Sequence, residues 1–569
     1  MKGADLFVKC LENEGVKYIF GIPGEENLDL LDSLKDSEIK FITTRHEQAA
    51  AFMAATYGRL TGKAGVVLST LGPGATNLMT GIAHAQLGAM PLVAITAEKS
   101  AKDRQEGKFQ KVEVIKMMQS IVKESSRVDN GASIAGTVRA AFYQAENGRP
   151  GVVHIELPED VAAGTSEVDT PLPAELSNNY PNSADISNAA AVISAANKPL
   201  VVVGSGANHK NISASLTDFI KTLGVPFIST QMGKGAVDER LDNCLGCPIF
   251  TEGQKIHEIV NEADLIVSIG YGVYEKPPFI FSKANSKLLS INSYPTEDAG
   301  FTFEHEVVGD IPASLKAVIE KVEQKNYWKG NSLTEFKVEE VKGGQHELFT
   351  ESNLLFGGEL ADQPEYELDP YEAESVEETP NHQPISIEHL VHSLRTVISK
   401  NGIVCLDNGL YKLAFAEKYK AYKANSLILD NALATMGAGL PTATVAKMLN
   451  PSSQVVAVVG DGGFMMNSQE IETMMRLGVA VKILLLEDKS FGMIEWKQEH
   501  LGLKENGLKF ENPDWELFAK SYGIAYTRLG DPDTLQGDLR KGLMSRKAAF
   551  MHMVVDYTEA KSHLASATW

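Results

Sequence analysis

The chain has 569 residues and a formal charge of −21, from 74 acidic against 53 basic side chains, which argues against nucleic acid or an anionic membrane surface as partner, since both need a basic footprint. The apolar (43%), aromatic (7%) and charged (22%) fractions are those of a soluble globular protein, and there is no apolar run of about 18 residues that would span a membrane. Such a length exceeds one hydrophobic core and suggests three or so domains, while four cysteines are too few for a disulfide framework.

The opening MKGADLFVKCLENEGVKYIFGIPG reads as an amphipathic helix feeding a strand and lacks the long apolar core of a signal peptide, so a cytoplasmic location is expected. Up to about residue 165, helical patterns alternate with the short apolar runs YIFGIPG, KFITTRHE, GVVLSTLGPG, PLVAITAE and GVVHIELPEDV. That rhythm predicts a parallel sheet with helices on both faces. Glu47 falls at a strand end followed by a small-residue helix, where an acidic side chain also simply suits the helix dipole. Leu71 to Asn77 is a second strand end opening onto a helix, and Phe109-Gln110 lies in EGKFQKVEV.

A second alternating block over 190–325 carries PLVVVGSGA, VPFISTQMGKGA, DLIVSIGYG and KLLSINSYP. Cys244 and Cys247 form a lone CxxC within it. With no second Cys or His pair at ligand spacing, two small residues near a turn are preferred to a redox pair or half a zinc site. Residues 331–381 are rich in Glu and Asp and weakly periodic; they read as a solvated linker in preference to a docking element built on Leu354, Leu355, Phe356 and Tyr366. The third block, 385–569, repeats the theme with GIVCLDNG, SLILDNALATMGAGLP, QVVAVVGDGG, VKILLLEDKS and AAFMHMVVDY. The expected fold class is therefore α/β, with three doubly wound parallel-sheet domains.

Within the third block an apolar run ends in Gly460-Asp461-Gly462-Gly463, and the next helical pattern starts near Met466. Glycines there let backbone amides approach a phosphate, and the Asp461 carboxylate can hold a divalent cation that neutralises it. The run from Val481 to Leu486 ends in Glu487-Asp488-Lys489-Ser490. One strand, helix, strand unit thus brings Asp461 and Asp488 to the same sheet edge.

GDG followed at this distance by Asn or Asp resembles the signature of the thiamine diphosphate enzymes. The resemblance implies that Asp461, Asp488 and the Ser490 carbonyl hold Mg²⁺ against the cofactor diphosphate beside Gly462 and Gly463. It implies backbone contacts to the diphosphate from Gly409, Leu410 and Tyr411 in Asp407-Asn408-Gly409-Leu410-Tyr411. In Ala434-Thr435-Met436-Gly437-Ala438-Gly439-Leu440-Pro441, backbone groups of Ala434 and Met436 would bind the aminopyrimidine and the Met436 side chain would bend the cofactor, although core packing is the usual place for such a methionine. The Arg45-His46-Glu47 stretch resembles the RHE of acetohydroxyacid synthases, making Glu47 the carboxyl group that protonates the cofactor's ring nitrogen. Gly72, Pro73 and Asn77 resemble a GPGxxN loop near the thiazolium. Gln110 would reach a substrate keto oxygen or carboxylate, with Lys123 matching a lysine downstream. Met493, Trp496 and Lys497 would lie over the cofactor, Trp496 being equally compatible with the core. Because Glu47 and the phosphate anchor come from domains that meet between subunits in this family, a homodimer is the minimum, with a homotetramer open.

Absence of a His-His pair weakens a pyruvate decarboxylase reading. Ile269 to Pro278 resembles the flavin-free, catabolic acetolactate synthases and not the arginine-rich stretch of flavin-bearing ones, so FAD is not expected. The resemblance thus implies decarboxylation of pyruvate and ligation to a second 2-oxo acid. Alternatives are a 2-oxo acid decarboxylase, a benzaldehyde lyase-like carboligase, and a protein that binds the cofactor without turnover. Departures from the pattern are FQKVEV, the idiosyncratic carboxyl end, and Asn431-Ala432-Leu433-Ala434 where the family reads Gly-Gly-Leu-Gly.

Overall fold

The apolar runs that end in glycine-rich or acidic turns become strands in the computed structural model, which describes residues 1–101, 109–167, 179–249, 254, 256–275, 286–296, 301–323, 325–329 and 384–565. The acidic stretch with Leu354, Leu355, Phe356 and Tyr366, and Lys276, Pro277 and Pro278, lie outside the described residues. The opening helix, Gly3–Asn13, feeds β1 (Tyr18–Gly21), followed by β2 (Lys40–Thr43), β3 (Gly65–Ser69), β4 (Leu92–Glu98), β5 (Glu124–Arg127) and β6 (Val152–Pro158). They pair in parallel in the order β2-β1-β3-β4-β6-β5. One face buries Phe7, Leu11 and Phe142, the other Met53, Ile82 and Met118.

The middle sheet joins β7 (Pro199–Val203), β8 (Phe227–Ser229), β9 (Leu265–Ile269), β10 (Lys287–Asn292) and β11 (His305–Val308) in the order β11-β10-β9-β7-β8. The last contains β12 (Ile385–Ser386), β13 (Ile403–Leu406), β14 (Leu427–Ile428), β15 (Val455–Gly460), β16 (Lys482–Glu487), β17 (Ala525–Leu529) and β18 (Ala549–Asp556), ordered β12-β18-β16-β15-β13-β14 with β17 also on β18. All three sheets are parallel, and the α/β class with three such sheets follows.

In each sheet one strand has its two successors on opposite sides: β1 lies between β2 and β3, β7 between β8 and β9, and β13 between β14 and β15. Crevices open beyond the carboxyl ends of strands at such reversals, where open α/β sheets take their ligands. The crevices fall after Gly21 and Ser69, after Val203 and Ile269, and after Leu406 and Gly460.

Two local features differ from expectation. The helix after β15 starts at Asp461 itself and runs to Asn467, earlier than the pattern near Met466 suggests. Gly462 and Gly463 form its first turn because close approach demands it: a Cβ on Gly463 would lie 2.6 Å from Asp407 Oδ2. Strands β5, β11, β12 and β17 carry no continuous apolar run, since each occupies a sheet edge.

The first crevice depends on backbone contact across it, as a Cβ on Gly21 would stand 2.0 Å from the Leu68 carbonyl oxygen. Gly21→Ala is expected to cost about 1–3 kcal/mol through overpacking, read as a lower urea midpoint for the first domain.

Candidate active site

Parallel register between β15 and β16 sets Gly460 beside Leu486, so the residues leaving both strands meet. Asp461 is 1% exposed. Its Oδ2 accepts the N–H groups of Lys489 (2.8 Å) and Asp488 (3.3 Å) and the Asn512 side-chain amide (2.8 Å), while Oδ1 accepts Gly462 N–H (2.9 Å). Asp488 Oδ1 accepts Ser490 N–H at 3.2 Å. Burial, and then the adjacent negative charge of Asp461, push the Asp488 carboxyl up to about 7. The Ser490 hydroxyl is buried with no hydrogen-bond partner among the described residues. Asn512 also donates to Glu487 Oε1 (2.8 Å), whose other oxygen meets His552 Nε2 at 2.9 Å. That histidine above all holds the Glu487 carboxyl down to about 2.

Across the crevice, Asp407 follows β13 and is buried. It accepts N–H groups of Gly437 (2.9 Å), Asn408 (2.9 Å) and Ala438 (3.3 Å), and burial raises its carboxyl to about 6. Leu410 and Tyr411 point into the core, and Gly460 N–H donates to the Tyr411 hydroxyl at 3.0 Å, which leaves Gly409 as the open part of that turn. Ala434 is exposed at φ 54°, and Met436 is half-buried on the same turn. Met493, on the helix Gly492–His500, packs half-buried against the core of the third sheet.

Glu47 begins the helix Glu47–Thr61 and is 8% exposed, its Oε2 accepting the Asn77 side-chain amide at 2.9 Å. Gly74 sits against its other oxygen. The loop before it turns at Gly72 (φ 54°), with Pro73 exposed; a Cβ there would stand 2.8 Å from the Gln110 carbonyl oxygen, so Gln110, itself at φ 55°, packs on this loop with its side chain exposed. Gln48 Oε1 accepts from Asn467 Nδ2 at 3.2 Å, and the same amide donates to the Gly437 carbonyl at 2.9 Å. One relay therefore links the Glu47 helix to the Met436 turn.

Known proteins match the chain along nearly all of it. Residues 1–117 match the thiamine pyrophosphate enzyme N-terminal TPP binding domain, 186–318 the central domain, and 407–553 the C-terminal TPP binding domain. A probable acetolactate synthase large subunit of Methanocaldococcus jannaschii is 30% identical over 98% of this chain and 93% of its own length. The catabolic acetolactate synthase of Raoultella terrigena is 29% identical (98% and 95%), and the acetolactate synthase of Bacillus subtilis 28% (98% and 94%). The chain belongs to the thiamine diphosphate-dependent acetolactate synthase family.

The residues present fit that family's cofactor. Among the described residues no group of three or more His, Cys, Asp or Glu side chains is placed to hold a metal. The donors at the β15 and β16 ends are instead two carboxylates beside an unpartnered hydroxyl. Mg²⁺ is commonly bound in this way, through one or two carboxylates with phosphate oxygens completing the shell.

Other candidates lie elsewhere. Lys123 donates to the carbonyls of Gln144, Asn147 (2.8 Å) and Arg149 (2.9 Å) beside the end of the helix Ile134–Glu146, and burial lowers its pKa to about 8; it serves the fold of the first domain. Trp496 is buried in the core, with exposed Lys497 5.8 Å from its ring. Asn512, His552 and Asp430 carry no short motif that marks them, and Glu487 stands beside Asp488 with no sequence sign of its histidine partner. Burial drives the Cys244 and Cys247 thiols up to about 12 and Cys10 to about 11, and Cys405 higher still. Thiolate is the reactive form, so none of the four cysteines is expected to react with Ellman's reagent in the native protein at pH 8, whereas all four should titrate in denaturant.

Proposed function

We propose that the chain decarboxylates a 2-oxo acid, pyruvate, and ligates the remaining acyl unit to a second 2-oxo acid, as an acetolactate synthase of the flavin-free, catabolic kind. The observation that carries this reading is the meeting of Asp461, Asp488 and Ser490 at one sheet edge, in a chain similar throughout to acetolactate synthases.

Bound thiamine diphosphate supplies the electron sink that lets a 2-oxo acid lose CO₂ and its acyl carbon join another carbonyl. Asp461, Asp488 and the Ser490 carbonyl would hold the Mg²⁺ that neutralises the cofactor diphosphate. Gly462 and Gly463 admit phosphate oxygens to backbone N–H groups, joined by backbone of Gly409, Leu410 and Tyr411. Ala434 and Met436 bind the aminopyrimidine by their main chain, the Met436 side chain supporting the bend. Glu47 holds a proton toward the ring nitrogen, fixed in place by Asn77. Gly72, Pro73 and Met493 close the pocket, and Gln110 donates to the substrate's keto oxygen or carboxylate.

Exposed Met465 (45%) and Met466 (46%) on the Asp461 helix support burial against a second copy, so that each site is completed as a homodimer or homotetramer. No helix among the described residues is long and apolar enough to cross a membrane; we place the enzyme in the cytoplasm.

A flavin-free reading is supported by the described residues of the middle crevice. The Glu275 carboxylate fills it, accepting Gly272 N–H (2.7 Å), Ser205 N–H (3.0 Å), Ser205 Oγ (2.8 Å) and Thr230 Oγ1 (2.5 Å). Gly206 N–H donates across to the Gly270 carbonyl at 2.8 Å, bringing the two walls into backbone contact. Glu275 thus occupies the donors of Ser205, Thr230 and Gly272 that would otherwise face a nucleotide diphosphate. Purified protein is accordingly expected to be colourless, and a bound flavin absorbance would remove this branch of the reading.

The deciding experiment incubates protein with thiamine diphosphate, Mg²⁺ and a panel of 2-oxo acids while following CO₂ and carbon–carbon products together. Acetolactate from pyruvate is expected; free aldehyde alone would move the assignment to a decarboxylase. Glu47→Gln is expected to abolish turnover while Mg²⁺-dependent cofactor binding survives, and unchanged turnover would sink the role given to Glu47.

A further inference from the structure

The turn from Asp430 to Gly437 is held by side chains outside the groups assigned above. Asp430 is 5% exposed and caps the turn, its carboxylate accepting the N–H groups of Ala434 (2.8 Å), Leu433 (3.2 Å) and Ala432 (3.3 Å). His84, buried on the helix Met79–Leu87 of the first domain, brings Nδ1 to 3.5 Å from Asp430 Oδ2. Its ring is fixed edge-on by Phe52 at 5.1 Å. Arg59, also from the first domain, donates to the Leu429 carbonyl at 2.7 Å. Lys412 donates to the Asp430 carbonyl (3.2 Å) and to Asn408 Oδ1 (2.6 Å), and Asn408 in turn donates to the Thr435 carbonyl (2.6 Å). Thr56, Arg59, His84, Asn408 and Asp430 line a small cavity between the two domains.

The turn needs such support. Ala434 sits at φ 54°, in the left-handed region that side chains rarely adopt, at a position where the family pattern reads glycine. Three N–H groups converging on one carboxylate fix by hydrogen bonding what glycine would permit by freedom. Burial opposes charge on Asp430, yet His84, Lys412 and the Ala434 N–H hold its pKa down to about 2.

We propose that Asp430, oriented across the domain boundary by His84, is a positioning residue that sets the Ala432–Met436 turn in its cofactor-accepting shape. The inference rests on the assignment of that turn to the aminopyrimidine.

The test uses the full chain and two readouts other than turnover: the dissociation constant of thiamine diphosphate with Mg²⁺, from intrinsic tryptophan fluorescence, and amide hydrogen exchange in the apoprotein. Asp430→Asn is expected to weaken cofactor binding about tenfold or more, the scale of a buried donor left unsatisfied, and to speed exchange at Ala432, Leu433 and Ala434 while β15 and β16 keep their protection. His84→Gln should shift both readouts the same way but less, and it decides the matter alone if Asp430→Asn does not fold. Affinities within twofold of the parent, or loss of protection throughout the third sheet, would overturn the proposal. Failure of the parent chain itself to bind the cofactor would instead refute the functional reading.

Discussion

The structure turns on placing two carboxylates side by side at the ends of β15 and β16. Parallel register brings them there, and the fold then satisfies Asp461 with backbone and amide donors instead of a basic side chain. A lysine or arginine in that position would neutralise the pair and leave nothing for a cation to do. Neutral N–H donors hold the geometry without pairing the charge, and burial first, then the neighbouring Asp461 charge, raises the Asp488 carboxyl to about 7. Glu487, next in sequence, shows the contrast: with His552 against it, the same sheet edge holds a carboxyl at about 2. Neighbouring acids on one strand end are thus divided into one that the protein neutralises and one that it leaves for a ligand.

The same topological reversal occurs three times in the chain and meets three fates. In the first sheet the crevice is filled from within, Glu26 accepting Thr70 Oγ1 at 2.6 Å and pairing with Lys99 at 3.3 Å. In the middle sheet Glu275 accepts from Ser205, Thr230 and Gly272. In the third, among the described residues, the crevice holds two adjacent acids with no basic side chain paired to them. Topology marks three crevices, and the hydrogen bonds within each distinguish them.

Much of this was legible in the sequence, and the reason is local. An apolar run ending in Gly-Asp-Gly states strand, turn and carboxylate within a few residues, so the placement of Asp461 and Asp488 at one sheet edge is legible from their neighbours alone. Edge strands such as β5, written ESSR, carry no such statement, because a strand solvated on one side needs no continuous apolar run. Asn512, which ties Asp461 to Glu487, was illegible for a different reason: its partners lie far away in the chain, and nothing adjacent to it marks the connection. Lys123, which resembles a family lysine downstream of Phe109-Gln110, donates to three carbonyls, an arrangement that nothing adjacent to it in sequence marks.

The Asp430 turn joins these two kinds of illegibility. Read locally, Asn431-Ala432-Leu433-Ala434 is a loss of glycine from a segment whose backbone needs it, and sequence reasoning therefore counts it against the site. Read in three dimensions, the left-handed Ala434 is supported by a carboxylate four residues earlier, which is itself faced by a histidine from another domain. A buried carboxylate of this kind is strongly destabilising if one partner is removed, so His84, Asp430 and the alanine turn are bound to one another as a set. The shape of the turn is thereby made to depend on how the first and third domains dock, a dependence that a glycine-built turn would not have.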